Sequence, residues 1–361
     1  AAHRAGVDSS HAFTDMRRLF DSKEIDAVVI ATPDHWHAPA AILAADAGKH
    51  VYVEKPCSHN FRESQLLVAA ARRNDVVVQH GTHMRSSRFI ADAVRALREG
   101  VIGEVLAAKA WNIQRRRDIG RETPSDPPRE VDYDLWVGPA EFQPFQKNRF
   151  HRDWHWWRNF GTGDIGNDGA HEIDYARWGL GVDALPTRVA ALGGKYFFRD
   201  DQQFPDTATC VFEYAPQTPD GQPKQLIFEM RLWSRNYPMN CDSGAEFYGT
   251  AGQMFLSKRG KLLIVDAQNK VVKQERAAAE PGFPHLENFL AAIEQRESPH
   301  ADVAEAALSV GPIHLANVAI RLGRSLTLNA AGDAIVGDEE ADRLLRRHYR
   351  EGGHWATPPG T

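Results

Sequence analysis

Cysteine is scarce in this sequence: Cys57, Cys210 and Cys241 are the only three in 361 residues. An odd, widely spaced set excludes a disulfide framework and offers no zinc-type spacing. No apolar stretch approaches the roughly twenty residues needed to cross a bilayer. Charge of neither sign dominates; the formal net charge is −5 and the pI is near 6.4. There is thus no electrostatic footprint for nucleic acid or an anionic membrane. Internal repeats and low-complexity tracts are lacking. No G-x-G-x-x-G follows a strand, and no acidic residue ends a second strand where a ribose would be read. Gly161-Thr162-Gly163 is glycine-rich but lies in the wrong half of the chain.

What is present begins with His50-Val51-Tyr52-Val53-Glu54-Lys55-Pro56. The β-branched and aromatic run suits a buried parallel strand, and Pro56 forces a turn. Glu54 and Lys55 then sit at the carboxyl end of a strand, where open α/β sheets place ligands. Upstream, Ile25–Ala31 is a second apolar run that ends in a loop, Thr32-Pro33-Asp34-His35-Trp36-His37, with Asp34 a possible cap for a helix from about Ala38 to Ala47. A helix over 61–73, a strand over 76–80, a helix over 88–98 and a strand over 103–111 continue the alternation. The pattern means a doubly wound parallel sheet. Beyond 111, strands are expected at 186–192, 207–214, 225–232, 245–249, 252–256 and 261–265, which reads as an antiparallel sheet. Helices follow at 285–295 and 303–321, with Asp302 capping the second and Gly323 stopping it.

These residues resemble the Gfo/Idh/MocA group of NAD(P)-dependent oxidoreductases. The resemblance rests on Ile25–Pro33, Ala47–Pro56, Gly161–Asp174, His285–Phe289 and His314–Asn317, and it covers nearly the whole chain. It implies a Rossmann domain over 1–108, a substrate and oligomerisation domain with a large, mostly antiparallel sheet over 109–330, and a tail over 331–361. It also implies that the chain opens inside a helix at Ala1–Val7, with His11–Phe13 as a short third strand. Roughly forty to sixty residues of the first βαβ portion would then precede it. A naturally truncated gene, or a repaired sheet that binds no dinucleotide, are the alternatives.

The resemblance places Lys55 between nicotinamide and substrate and matches His171 to the catalytic histidine, whose ordinary pKa near 6.5 suits a base. Asn167 stands where many of the group have aspartate. It lies four residues before His171 on what reads as one helix, so both can face one substrate carbon. Asp168 should face elsewhere on that helix, though it too is a candidate for the substrate side. Asp174 is a candidate orienter of the helix or of the histidine. The loop of Thr32, Pro33, His35 and His37, with Glu54 and Lys55, is expected at the cofactor, which is NAD or NADP with NAD favoured. Metal ligation by His35, His37 and His83 is disfavoured.

The segment Phe150–Phe160 carries three tryptophans, two histidines and two arginines within eight residues. Trp154, His155, Trp157 and Arg158 suit a carbohydrate surface, because indole covers a pyranose face while the polar groups bond its hydroxyls. An aromatic loop packed on the sheet is the plain alternative. Arg85, beside His83, is expected at the substrate mouth, and Arg116 in the run 115–117 is a candidate sugar clamp. The expectation is an oxidoreductase acting on a sugar, polyol or glycoside hydroxyl. One alternative is glycoside cleavage by oxidation and elimination with a recycled, bound NAD, since no carboxylate pair for direct hydrolysis is assignable. The other is a non-catalytic sugar-binding or regulatory protein. The partner is a small carbohydrate, with no nucleic acid and no membrane, in a homo-oligomer. Location is cytoplasmic by default, or exported if a twin-arginine signal precedes Ala1.

Overall fold

The computed structural model describes residues 12–278 and 282–361. The expected helix over Ala1–Val7, and His11 of the expected strand, lie outside the described residues; Ala12 and Phe13 form no strand. After a short helix α1 (Met16–Phe20), the first half runs β1 (Ala27–Ile30), α2 (Asp34–Asp46), β2 (His50–Val53), α3 (Phe61–Asn74), β3 (Val78–His80) and α4 (Arg88–Arg98). The three strands pair in parallel in the order β1-β2-β3. Val51, Val53 and Val78 are buried on one face of this sheet and Tyr52 and Gln79 on the other, so the strands are covered on both sides, as parallel strands with apolar runs are.

The second half is built on a nine-stranded sheet. Its members are β4 (Val105–Ile113), β5 (Arg188–Gly194), β6 (Thr207–Tyr214), β7 (Lys224–Arg231), β8 (Ser243–Gly249), β9 (Gly252–Ser257), β10 (Lys261–Asp266), β11 (Val271–Arg276) and β12 (Leu326–Thr327), in the order β11-β10-β9-β8-β4-β7-β6-β5-β12. All pairings are antiparallel except β4 with β7, so the sheet is mixed. β11 was not legible in the sequence, because all six of its residues are exposed and carry no alternation. In β6 the alternation is clean: Ala208, Cys210, Phe212 and Tyr214 point inward, as a half-solvated sheet requires.

Helices α5 (Tyr133–Val137), α6 (Gly163–Asn167), α7 (Gly169–Leu180), α8 (Pro284–Gln295), α9 (Val303–Leu322) and α10 (Glu339–Arg343) complete the elements. α7 lies against β4, β7 and β8, and α9 against β5 and α3. Asp302 caps α9 through a bond from Ala304 N, and Gly323 ends it at φ +67°. By length and composition α9 could cross a membrane, contrary to the expectation that no stretch could. Most of it is buried inside the protein, and a core helix is apolar for that reason. Two expectations about α2 also change. The helix starts at Asp34, so His35, Trp36 and His37 form its first turn instead of a loop. Pro33 is the N-cap residue, and Asp34 makes no cap bond.

α2 meets the second half at Gly138, which has φ +56° and ψ −130°. A Cβ there would fall 2.1 Å from the Trp36 ring. Gly138→Ala should therefore lose about 2–4 kcal/mol from strained backbone plus overpacking, read as a lower urea midpoint at unchanged slope. A loss below about 0.5 kcal/mol would show that this junction yields easily.

Candidate active site

The turn after β2 presents Lys55 to the second half of the protein. Its ammonium donates to the backbone oxygen and to Oδ1 of Asn167, both at 2.8 Å. The amide nitrogen of Asn167 in turn donates to Asp164 Oδ1 at 2.9 Å. Asp164 is fully buried and also accepts from Asn112 and Arg116. The arrangement explains the asparagine. An amide can face a cation and a carboxylate at once, whereas an aspartate here would set two carboxylates against each other.

His171 lies in the first turn of α7, buried, with Nδ1 making no hydrogen bond among the described residues. Its ring stands 4.9 Å from that of His83, edge to face. Burial, then the charges of Lys258 and Lys55, hold its pKa well below the ordinary value, so the imidazole is neutral. Asn167 and His171 do not share one helix. α6 ends at Asn167 and α7 begins at Gly169, with Asp168 between them. Gly169 is needed because a Cβ would meet the Phe228 ring at 2.6 Å. The break also turns Asp168 toward the site: it accepts from Arg116 and feels the charges of Lys258 and Lys55. Asp168 therefore faces the polar cluster and not away from it.

Two buried carboxyls frame the cluster. Glu172 pairs with Lys258 at 2.7 Å, and burial pushes its pKa up to about 7 despite that lysine. Asp34 accepts from Thr162 Oγ1 at 2.6 Å; burial raises its pKa to about 7 against the pull of Thr162 and Lys55. A cleft of about 560 Å³ opens on His83 and Lys258.

Other expected residues are placed differently. Arg85 is buried away from any mouth and grips both oxygens of Asp174 at 2.9 Å. Asp174 consequently orients Arg85 and accepts from Ser309, and makes no bond to His171. Arg116 borders the site, but its guanidinium is committed to Asp164 and Asp168. His35 and His37 are buried, with their ring nitrogens taken up by backbone oxygens. His35 Nε2 lies 2.9 Å from the Trp136 oxygen, and His37 bridges the Pro56 and Thr32 oxygens at 2.6 and 2.7 Å. Burial lowers His37 to about 4.

Thr32 and Pro33 follow β1, whose last residue pairs with Val53 two positions before Lys55, and the Thr32 hydroxyl is buried with no hydrogen bond among the described residues. Glu54 turns back on its own chain, with Oε2 accepting from Lys55 N at 3.2 Å. The tryptophan segment follows the plain alternative. Trp157 is buried, donates to Asn148 O at 2.9 Å and stacks under Arg149, while Trp154 packs on the main core. His155 sits between Trp154 and Trp156, near enough to feel Asp164. Arg158 is exposed, on a cleft that neither Lys55 nor His171 lines.

Sequence reasoning missed Asp34 as a site group, Asp164, Glu172 and Lys258. Asp164 and Glu172 lie inside the Gly161–Asp174 motif and could have been found there. Lys258 sits in the turn between β9 and β10 and carries no signal.

Comparison with known proteins gives three results. A profile of the oxidoreductase family, NAD-binding Rossmann fold (GFO_IDH_MocA) matches residues 1–82, and one of the oxidoreductase family's C-terminal alpha/beta domain matches 111–356. Levoglucosan dehydrogenase of Pseudarthrobacter phenanthrenivorans is 31% identical over 50% of this chain and 39% of its own length. A scyllo-inositol 2-dehydrogenase (NADP(+)) of Bacillus subtilis is 39% identical over 22% of the chain and 25% of its length. These matches thus span less than half of either relative. Among solved structures, an aldose-aldose oxidoreductase from Caulobacter crescentus aligns at TM-score 0.66 and 18% identity, over 91% of this chain and 87% of that one. A levoglucosan dehydrogenase complex with NADH and levoglucosan aligns at 0.65 and 20%, over 90% and 85%. At such identities the structures attest the fold alone.

Proposed function

The chain belongs to the Gfo/Idh/MocA oxidoreductase family, and from that premise we propose that it oxidises a hydroxyl of a sugar or polyol with NAD, or less favourably NADP. The carrying observation is the juxtaposition of Lys55, held by Asn167, with a neutral His171 whose Nδ1 makes no hydrogen bond among the described residues. The cofactor's nicotinamide end fits beside β1 and β2, where the buried Thr32 hydroxyl makes no hydrogen bond among the described residues; Thr32, Pro33 and Lys55 would hold it. Bound there, the dinucleotide would supply the acceptor for the hydride that leaves the carbinol carbon. Lys55 donates to the substrate oxygen and offsets its developing negative charge. His171 takes the hydroxyl proton. Burial, then Lys258 and Lys55, disfavour an imidazolium at His171 and keep it in the proton-accepting form. Asn167 positions Lys55 and takes no proton itself.

The test is a panel of sugars, polyols and glycosides assayed for NADH and, separately, for released aglycone. NADH in step with substrate loss supports net oxidation. Aglycone release without NADH points to oxidation, elimination and return of the hydride. Failure of the protein to bind NADH or NADPH would overturn both. The pH profile is a further check. The folded pKa of His171 is lowered, so the base stays deprotonated below pH 6.5 and is lost only at more acidic pH. The acid limb of kcat/KM should therefore fall clearly below 6.5, and a limb at or above 6.5 would contradict the environment described for His171. Self-association through the sheet is supported by the exposed Leu192, Tyr196 and Phe197 on and after β5; sedimentation velocity tests it.

A further inference from the structure

A cleft of about 870 Å³ lies away from Lys55 and His171, walled by the start of α3, the second half of α9, residues 157–162 and residues 343–349. Six arginines line it: Arg149, Arg158, Arg321, Arg343, Arg346 and Arg347. The acidic side chains on its wall are Glu141 and Glu340, and Arg324 holds Glu340 at 2.6 Å. Among the described residues, the guanidinium groups of Arg158, Arg321, Arg343 and Arg346 have no carboxylate partner. Deeper in, Arg347 pairs with Glu63 at 2.7 Å, yet its Nε and Nη1 are buried without a hydrogen bond. Both ring nitrogens of His59 and Nε of Arg149 are likewise buried with no hydrogen bond of full geometry among the described residues.

Six arginines against Glu141, Glu340 and Glu63 leave an excess of like charge that repels, and buried donors left unpaired are unfavourable. Arg158 senses this crowding: partial desolvation by the cleft wall, and then Arg321, hold its pKa below the usual arginine value. An anion placed among these groups removes both penalties. Arginine forks match phosphate oxygens in pairs, and the volume lies within the range of small-molecule sites. His59 and His314, kept neutral by burial, add hydrogen-bonding groups that suit hydroxyls. We propose that this cleft is a second site, for a small phosphate-bearing metabolite, separate from the dinucleotide and the oxidised hydroxyl. The proposal is independent of the oxidoreductase reading.

Isothermal titration of the full protein at fixed ionic strength tests it, with pyrophosphate and glucose 6-phosphate as probes and glucose as the neutral competitor. Both phosphates should saturate in the presence of excess glucose, which fills any sugar site beside Lys55 and His171; the tighter of the two shows whether a free or an esterified phosphate is preferred. Each should raise the thermal midpoint of the unaltered protein. The double variant R321Q/R346Q changes exposed, unpaired side chains, so its folding is not at stake. It should bind either phosphate at least tenfold more weakly, with NADH affinity unchanged within twofold. No saturable phosphate binding, equal binding by the variant, or displacement of NADH by phosphate would each overturn the second site. Loss of NADH binding with phosphate binding intact would overturn the oxidoreductase reading alone.

Discussion

Lys55→Met should lower kcat by roughly 10²–10⁴-fold, the range for a group that assists proton movement and charge development at the reacting oxygen. NADH affinity should fall far less than kcat, because the larger part of the loss falls on the transition state. Methionine keeps most of the stem and removes only the ammonium. Asn167 then loses the donor that its Oδ1 accepts at 2.8 Å, but the amide still bonds Asp164, so the loop should stay in place. His171→Ala should show a loss of similar size. If the two groups act as one unit, the double variant should be little worse than either single one. Fully additive losses would mean that Lys55 and His171 work in separate steps. An unimpaired Lys55→Met enzyme would remove the catalytic assignment.

Arg85→Ala should destabilise the protein by about 3–5 kcal/mol, since it leaves Asp174 as an uncompensated buried charge. The pair is part of a larger network. Ser309 donates to Asp174 Oδ1 at 2.7 Å, Arg177 donates to Ser309 at 2.9 Å, and Arg177 pairs with Glu305 at 2.7 Å. The turn at 83–86, α7 and α9 all meet here. Burial alone would raise the Asp174 pKa, but Arg85 and Arg177 hold it below the usual carboxylate value. Its contribution in the intact protein is therefore present above about pH 4 and is lost as pH falls toward the folded value. Without Arg85 the sign reverses, because burial dominates and the carboxyl gains by taking a proton. The deficit of Arg85→Ala, measured by urea unfolding, should therefore shrink from pH 8 to pH 5. A deficit below 1 kcal/mol, or one that grows on acidification, would show that the pair contributes little.

The strands and helices were legible wherever the chain's own periodicity dictates them. Val51–Val53 before Glu54-Lys55-Pro56 could be little else than a buried strand stopped by a turn, and β6 declares itself by alternation. The candidate site was legible only in part. Lys55, Asn167 and His171 were visible because they sit inside short motifs. Their partners were not, because Asp174 reaches back 89 residues to Arg85, and Lys258 comes from a turn beyond β9. The break at Asp168 was hidden because Asn167–His171 fits one helix by spacing; the Phe228 ring against Gly169 decides otherwise. Trp157 misled for a related reason: an indole looks available for a ligand until Asn148 and Arg149 are seen to take its edge and its face.

The core beneath β1–β3 is finished by Val303, Ala306, Val310 and Ala356, with Trp355 against it. Arg347 and Tyr349 grip Glu63 on α3 from the same late stretch. During synthesis, the segment ending near His80 must therefore wait for residues some 275 positions later before its apolar face is sealed. At about 5–20 residues per second that interval is roughly a quarter of a minute to a minute. Through it the nascent sheet carries an open greasy side, and the ribosome-bound chain is a natural client for holdase chaperones.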